Sequence, residues 1–87
     1  MKKVWHDDAW EDYHYWQSQD RRTLRRINLL ILDMDRYGYD GIGKPEPLSG
    51  ALSGWWSRRI DESNRIVYRI RDNRIEIIQC GSHYRDH

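Results

Sequence analysis

The sequence predicts an α+β fold of order β-α-α-β-β-β, with two N-terminal helices packed on one face of a small twisted sheet. Three observations carry that expectation. Leu24, Ile27, Ile31 and Met34 recur at intervals of three and four, the period of a helix that buries one stripe. Three short runs, Trp56–Ile60, Arg65–Ile70 and Arg74–Cys80, follow a Gly- and Pro-rich segment and read as strands. Residues 1–6 (MKKVWH) read as one more short strand ahead of the helices.

Each element has a local reason. Asp7 or Asp8 is placed to cap the first helix, and Asp8 with Glu11 has capping-box spacing. Trp10, Tyr13 and Trp16 or Gln17 share a face of that helix, which should end near Ser18. Asp20 then offers a cap for the second helix, so the pair reads as an antiparallel hairpin. Residues 37–54 (YGYDGIGKPEPLSGALSG) contain five glycines and both prolines, and read as one long loop. Asp72-Asn73 suits a two-residue hairpin turn between the last two strands.

The 87 residues are expected to form one domain, 1–87, with 85–87 as a short extra tail. Five Trp and six Tyr supply bulk for its core. The net charge of +1 is too small to mark a nucleic-acid binder, but the charge is unevenly spread. Residues 1–20 set Lys2 and Lys3 against five acids, giving −3, whereas residues 21–44 set six basic residues against three acids, giving +3. Twelve of the thirteen basic residues after position 20 are arginine, the side chain suited to bidentate phosphate contacts. The single cysteine, Cys80, lies in an apolar run, forbids an internal disulfide and reads as a buried thiol. With no signal peptide or apolar span visible, a soluble cytoplasmic protein with no membrane association is expected.

Lys44-Pro45-Glu46-Pro47-Leu48 places one carboxylate between the only two prolines. Proline fixes its own φ and restricts the residue before it, so Glu46 is held extended from both sides. Arg65 opens one strand, and His83-Tyr84 follow the end of the next, so antiparallel pairing would bring them to one sheet edge near Glu46. A carboxylate, an arginine, a histidine and a tyrosine suit metal-free RNA cleavage, in which the 2′-hydroxyl attacks the adjacent phosphorus. Glu46 would be the base, His83 the acid for the 5′ leaving oxygen, and Arg65 the phosphate stabiliser. Tyr84 and Trp55 could stack on bases. Arg58 and Arg59 alternate on one strand and face opposite ways. Arg21 with Arg25, and Arg22 with Arg26, form repelling i, i+4 pairs, explained either by an anionic partner or by acids of the first helix. His83 and His87 are four apart, yet no further ligand completes a metal site, so neither metal nor cofactor is expected.

The segment GIGKPEPLSGALSGWWSRRIDESNRIVYRI (41–70), with WEDYHYWQSQD near the start and HY near the end, resembles the YoeB/Txe-type toxins. These belong to the RelE/ParE superfamily of bacterial toxin–antitoxin systems, and the resemblance runs from about Val4 to Tyr84. It implies a RelE-like microbial RNase fold and endonucleolytic, metal-independent cleavage of mRNA in the A site of the 70S ribosome, inhibiting translation. It places the catalytic roles on Glu46, Arg65, His83 and Tyr84, and a basic surface toward RNA or the ribosome on Lys44, Arg58 and Arg59. It also implies an antitoxin partner whose acidic, partly disordered segment covers the site, and self-association as a dimer. The chain departs from the family at Ser49, where lysine is frequent, at Gly81-Ser82 before His83, and in the added Arg85-Asp86-His87. Two rival readings are a ParE-like toxin that poisons gyrase and a module that binds an acidic partner without cleaving RNA. The first leaves Glu46, Arg65 and His83 idle, and the second does not explain the proline-fixed glutamate.

Overall fold

The computed structural model describes residues 1–82. In chain order these form β1 (Lys2–Trp5), α1 (Asp7–Gln19), α2 (Arg21–Tyr37), β2 (Glu46–Pro47), a 3₁₀ turn (Gly50–Leu52), β3 (Trp56–Arg59), β4 (Arg65–Arg71) and β5 (Arg74–Gly81). The strands make one five-stranded sheet in the order β1-β5-β4-β3-β2. β1 runs parallel to β5, and the other neighbours are antiparallel. The α+β architecture expected from the sequence is therefore present, with a fifth strand added at the edge. That strand, β2, is two residues long and lies inside the segment expected to be wholly irregular. Its proline is tolerated because an edge strand can leave one side unpaired.

The helices follow from their sequences with one correction. Asp20 caps α2, its Oδ1 accepting from the backbone N–H groups of Arg22 at 3.0 Å and Thr23 at 3.3 Å. The Thr23 hydroxyl, with those two N–H groups, holds the Asp20 carboxyl below its ordinary pKa. The capping box expected at α1 does not form. The N-cap is His6, which makes no side-chain cap bond, while Asp7 and Asp8 occupy the first turn, where their charge complements the helix dipole. Asp20 alone separates the helices, and the Tyr13 hydroxyl donates to Asn28 Oδ1 at 2.6 Å across the hairpin.

α2 buries Ile27, Leu30, Ile31 and Met34, a stripe shifted slightly from the one predicted, with Leu24 only half-buried. From α1 the fully buried residues are Ala9 and Asp12, while Tyr13 and Trp16 pack on the core and Trp10 stays exposed. These residues meet Ile60, Ile66, Tyr68, Ile75, Ile77 and Cys80, so both helices lie on one face of the sheet. Asp72 and Asn73 have φ of 54° and 59°, the pair of left-handed residues a type I′ hairpin turn needs. The turn sets the register Arg71↔Arg74, Ile70↔Ile75 and Arg69↔Glu76, and an irregularity at Val67/Tyr68 restores the alternation beyond. The face away from the helices consequently carries Arg65, Val67, Arg69 and Arg71 from β4, and Glu76 and Gln79 from β5.

Candidate active site

β2 exists because Pro45 and Pro47 hold Glu46 extended, and it lays Glu46 directly opposite Ser57 of β3. Arg65, the first residue of β4, pairs with Arg59 on one side and Gly81 on the other. Its Nη1 donates to Glu46 Oε1 at 3.0 Å and to Ser57 Oγ at 3.2 Å. Glu46 is 55% exposed and Arg65 32% exposed at the side chain, so both remain open to a substrate. Leu48, Leu52, Val67 and Gln79 complete a concavity of about 350 Å³ around this trio. The structure thus brings together two of the residues picked from sequence and adds Ser57, which sequence reasoning passes over. Its signal is its position one before Arg58 on β3, which puts it on the face opposite the core.

His83 and Tyr84 lie outside the described residues, as do His87 and the tail. The strand leading to them is described. β5 ends at Gly81 opposite Arg65. Its last residues are tied to α1 at Cys80: the Cys80 N–H donates to Asp12 Oδ2 at 3.1 Å, and Trp16 Nε1 donates to the Cys80 carbonyl at 2.8 Å. The Cys80 thiol is buried, as expected. Among the described residues, no group of three or more His, Cys, Asp or Glu side chains could hold a metal ion.

Arg58 corrects the sequence reading. The family resemblance places it on a basic surface, yet its side chain is fully buried on the helical face of the sheet. Nη1 pairs with Asp33 Oδ2 at 2.6 Å and donates to the Ile42 carbonyl at 3.1 Å. Nη2 donates to the carbonyls of Gly38, at 2.8 Å, and Asp40, and Nε reaches the Tyr68 hydroxyl at 3.0 Å. The guanidinium thereby gathers the loop that leads from α2 to Glu46. Gly43, at φ 83°, lets that loop pass: a Cβ there would come within 2.7 Å of Leu30 Cδ2 and 3.2 Å of Arg58 Cβ. Burial pushes the Asp33 carboxyl up, but the Arg58 and Ile42 bonds outweigh it and leave its pKa lowered. For Tyr68, burial prevails over Arg58 and raises the phenol. The signal for this hub is legible: Arg58 alternates in step with Trp56 and Ile60, both core-facing, and Asp33 sits beside the buried stripe of α2.

The other basic candidates are dispersed. Lys44 and Arg59 lie beside the Glu46 strand, both exposed. Arg21, Arg22 and Arg25 are exposed on α2, in the layer behind the sheet, and Arg26 lies with Nη2 3.4 Å from the Arg59 carbonyl. Arg21, Arg22 and Arg25 therefore do not converge on Glu46 and Arg65. Trp55 does face the open side of the sheet, where Arg69 lies over its ring at 4.3 Å from the centroid.

Comparison with known proteins gives the family of the chain. Residues 5–84 match the family described as YoeB-like toxin of bacterial type II toxin-antitoxin system. Toxin YoeB of Escherichia coli K12 is 49% identical over 84 residues, covering 97% of this chain and 100% of that protein. A YoeB/ParE toxin structure from Agrobacterium tumefaciens superposes with a TM-score of 0.93 at 48% identity, over 97% of this chain and 100% of that one. The toxin of a YoeB–YefM complex from Staphylococcus aureus superposes at 0.91 and 41% identity, covering 97% and 98%. On full-length sequence and fold alike, the chain belongs to the YoeB-like toxins of bacterial type II toxin–antitoxin systems.

Proposed function

We propose that this toxin is an endoribonuclease that cuts mRNA in the ribosomal A site and so stops translation. The observation that carries the reading is the Glu46–Arg65 pair, 3.0 Å apart on the open face of the sheet and accessible to a phosphodiester. Glu46 takes the proton of the 2′-hydroxyl, whose oxygen attacks the neighbouring phosphorus. The P–O5′ bond breaks as the 2′,3′-cyclic phosphate forms, and His83 gives a proton to the leaving 5′-oxygen. Arg65 turns from Glu46 to the phosphate, where its fixed positive charge meets the charge developing on the non-bridging oxygens. Ser57 accepts from the same Nη1 and helps hold the guanidinium, and the prolines around Glu46 remove the need to order the loop during reaction. Tyr84 stacks on or bonds to the substrate. Every group in this scheme belongs to the protein or the RNA, so no metal or cofactor is assigned a step.

In the cell the same face would be covered by an antitoxin. The solved Staphylococcus relative holds YefM, and the surplus of arginines here suits an acidic segment that folds on binding. Self-association and a cytoplasmic site of action complete the reading. Among the described residues, no helix is long and apolar enough to cross a membrane.

The test is a translating extract. Wild-type protein should cut message at ribosome-occupied codons, and Glu46→Gln should cut about 10²–10⁴-fold more slowly, the usual worth of a positioned base. His83→Gln should be similarly impaired. Message left intact by the wild type would sink the enzyme reading, and unchanged cutting by both variants would sink the assignment of roles.

A further inference from the structure

We propose that the open face of the sheet carries a second RNA-contacting subsite, built from Trp55, Arg69 and Arg71, that holds the strand beyond the scissile phosphate. The proposal deepens the endoribonuclease reading and rests on it.

The open face is organised in rows across the strands. One row joins Glu46, Ser57, Val67 and Gln79. The next contains Arg69 and Glu76 as direct partners, with Val4 of β1 beyond and Trp55 at the near end. Arg65 and Arg69 are four residues apart on one strand, about 13 Å along the same face, so one extended RNA strand can meet both. Arg71 follows two residues further on that face. No step of the cleavage chemistry uses this second row.

Its internal geometry is that of a stacking platform. Arg69 Nε and Nη2 donate to the two oxygens of Glu76, at 2.9 and 3.4 Å, and this holds the guanidinium over the indole of Trp55. Arg71 Nε donates to the same carboxylate at 3.0 Å, and His6 Nε2 lies 3.5 Å from its second oxygen. The His6 ring also meets Trp55 edge-on, with centroids 6.0 Å apart. Glu76 is only 14% exposed, whereas Arg71 is 60% exposed, so the acid lies inside and an arginine outside. One carboxylate shared by two arginines leaves net positive charge beside an aromatic plane. That combination takes a phosphate and an adjacent base together. An acidic protein segment would use the arginines but leave the indole without a role, so RNA is the better fit.

The test is a salt-dependent titration with a short, fully 2′-O-methylated RNA, which binds without being cut. Arg69→Ala should weaken binding and also reduce the slope of log K against log [salt] by about 0.7 for each phosphate no longer neutralised. Trp55→Ala should weaken binding about 5- to 100-fold and leave the slope unchanged, with Trp55→Phe restoring most of the affinity. Should Arg69→Ala fold poorly with Glu76 left behind, the Arg69→Ala/Glu76→Gln pair removes both charges and gives the same slope change. Variants that match the wild type in affinity and slope would overturn the subsite, as would a wild type that binds no RNA at low salt. A face that takes an acidic peptide but no RNA would overturn it too, and assign the face to a protein partner. Failure of the wild type to cut message in a translating extract is a separate result, and strikes the underlying reading.

Discussion

Single side chains decide most of what this small fold can do, and Arg58 shows how. Its guanidinium satisfies three loop carbonyls and one carboxylate at once, which only a buried fork of donors can manage. Arg58→Met should therefore cost about 3–5 kcal/mol in chemical denaturation, because Asp33 and the carbonyls lose their partner. Arg58→Lys should recover little of it, since a single ammonium cannot reach all four acceptors. Glu76 offers a pH test. The bonds from Arg69, then those from His6 and Arg71, lower its carboxyl from an ordinary 4.5 to about 2 against the opposing effect of burial. A depressed carboxyl contributes stability that is present above pH 4.5 and lost as pH falls towards 2. Thermal unfolding followed through that window should show a shallower acid decline for Glu76→Gln than for the wild type. Parallel declines would show that Glu76 does not drive the acid sensitivity.

At the scale of elements, the prolines and the hairpin turn do the positioning. Pro45→Ala and Pro47→Ala should each lower stability by about 0.4–1 kcal/mol by freeing the unfolded chain. They should lower the cutting rate by more than that loss explains, which a rate measured well below the melting temperature would reveal. The helices and the strands β3, β4 and β5 are legible in the sequence, because a period of 3.6 or 2 in apolar residues survives without knowledge of the partner. β2 is not, since a two-residue strand, Glu46–Pro47, carries no period. The α1 cap departs from expectation because either aspartate could serve, and the chain instead begins the helix at Asp7, directly after His6. Arg58 is legible only once the inward face is known. Alternation shows that it and Arg59 face opposite ways, but the choice of face depends on Trp56 and Ile60 lying inward. By contrast, the Glu46–Arg65 encounter is legible from topology, because a strand start and a constrained loop meet at one edge.

For the molecule as a whole, the sheet divides the labour. The helical face holds an apolar core with Arg58 and Asp33 paired at its margin. The opposite face presents Glu46, Arg65, Trp55, Arg69 and Arg71 on a platform whose register the Asp72-Asn73 turn fixes. Covering that face with an acidic segment would hide the reacting pair and the flanking arginines together, which is how a bound partner would silence the toxin. The scheme assigns the nucleophile to the RNA itself. The most direct measurement uses programmed ribosomes carrying a message with one 2′-deoxynucleotide at the position normally cut. Cleavage should vanish at that position alone, and the all-ribose control should yield a 2′,3′-cyclic phosphate and a 5′-hydroxyl end. Cutting at the deoxynucleotide, or fragments ending in 3′-hydroxyl and 5′-phosphate, would contradict the account.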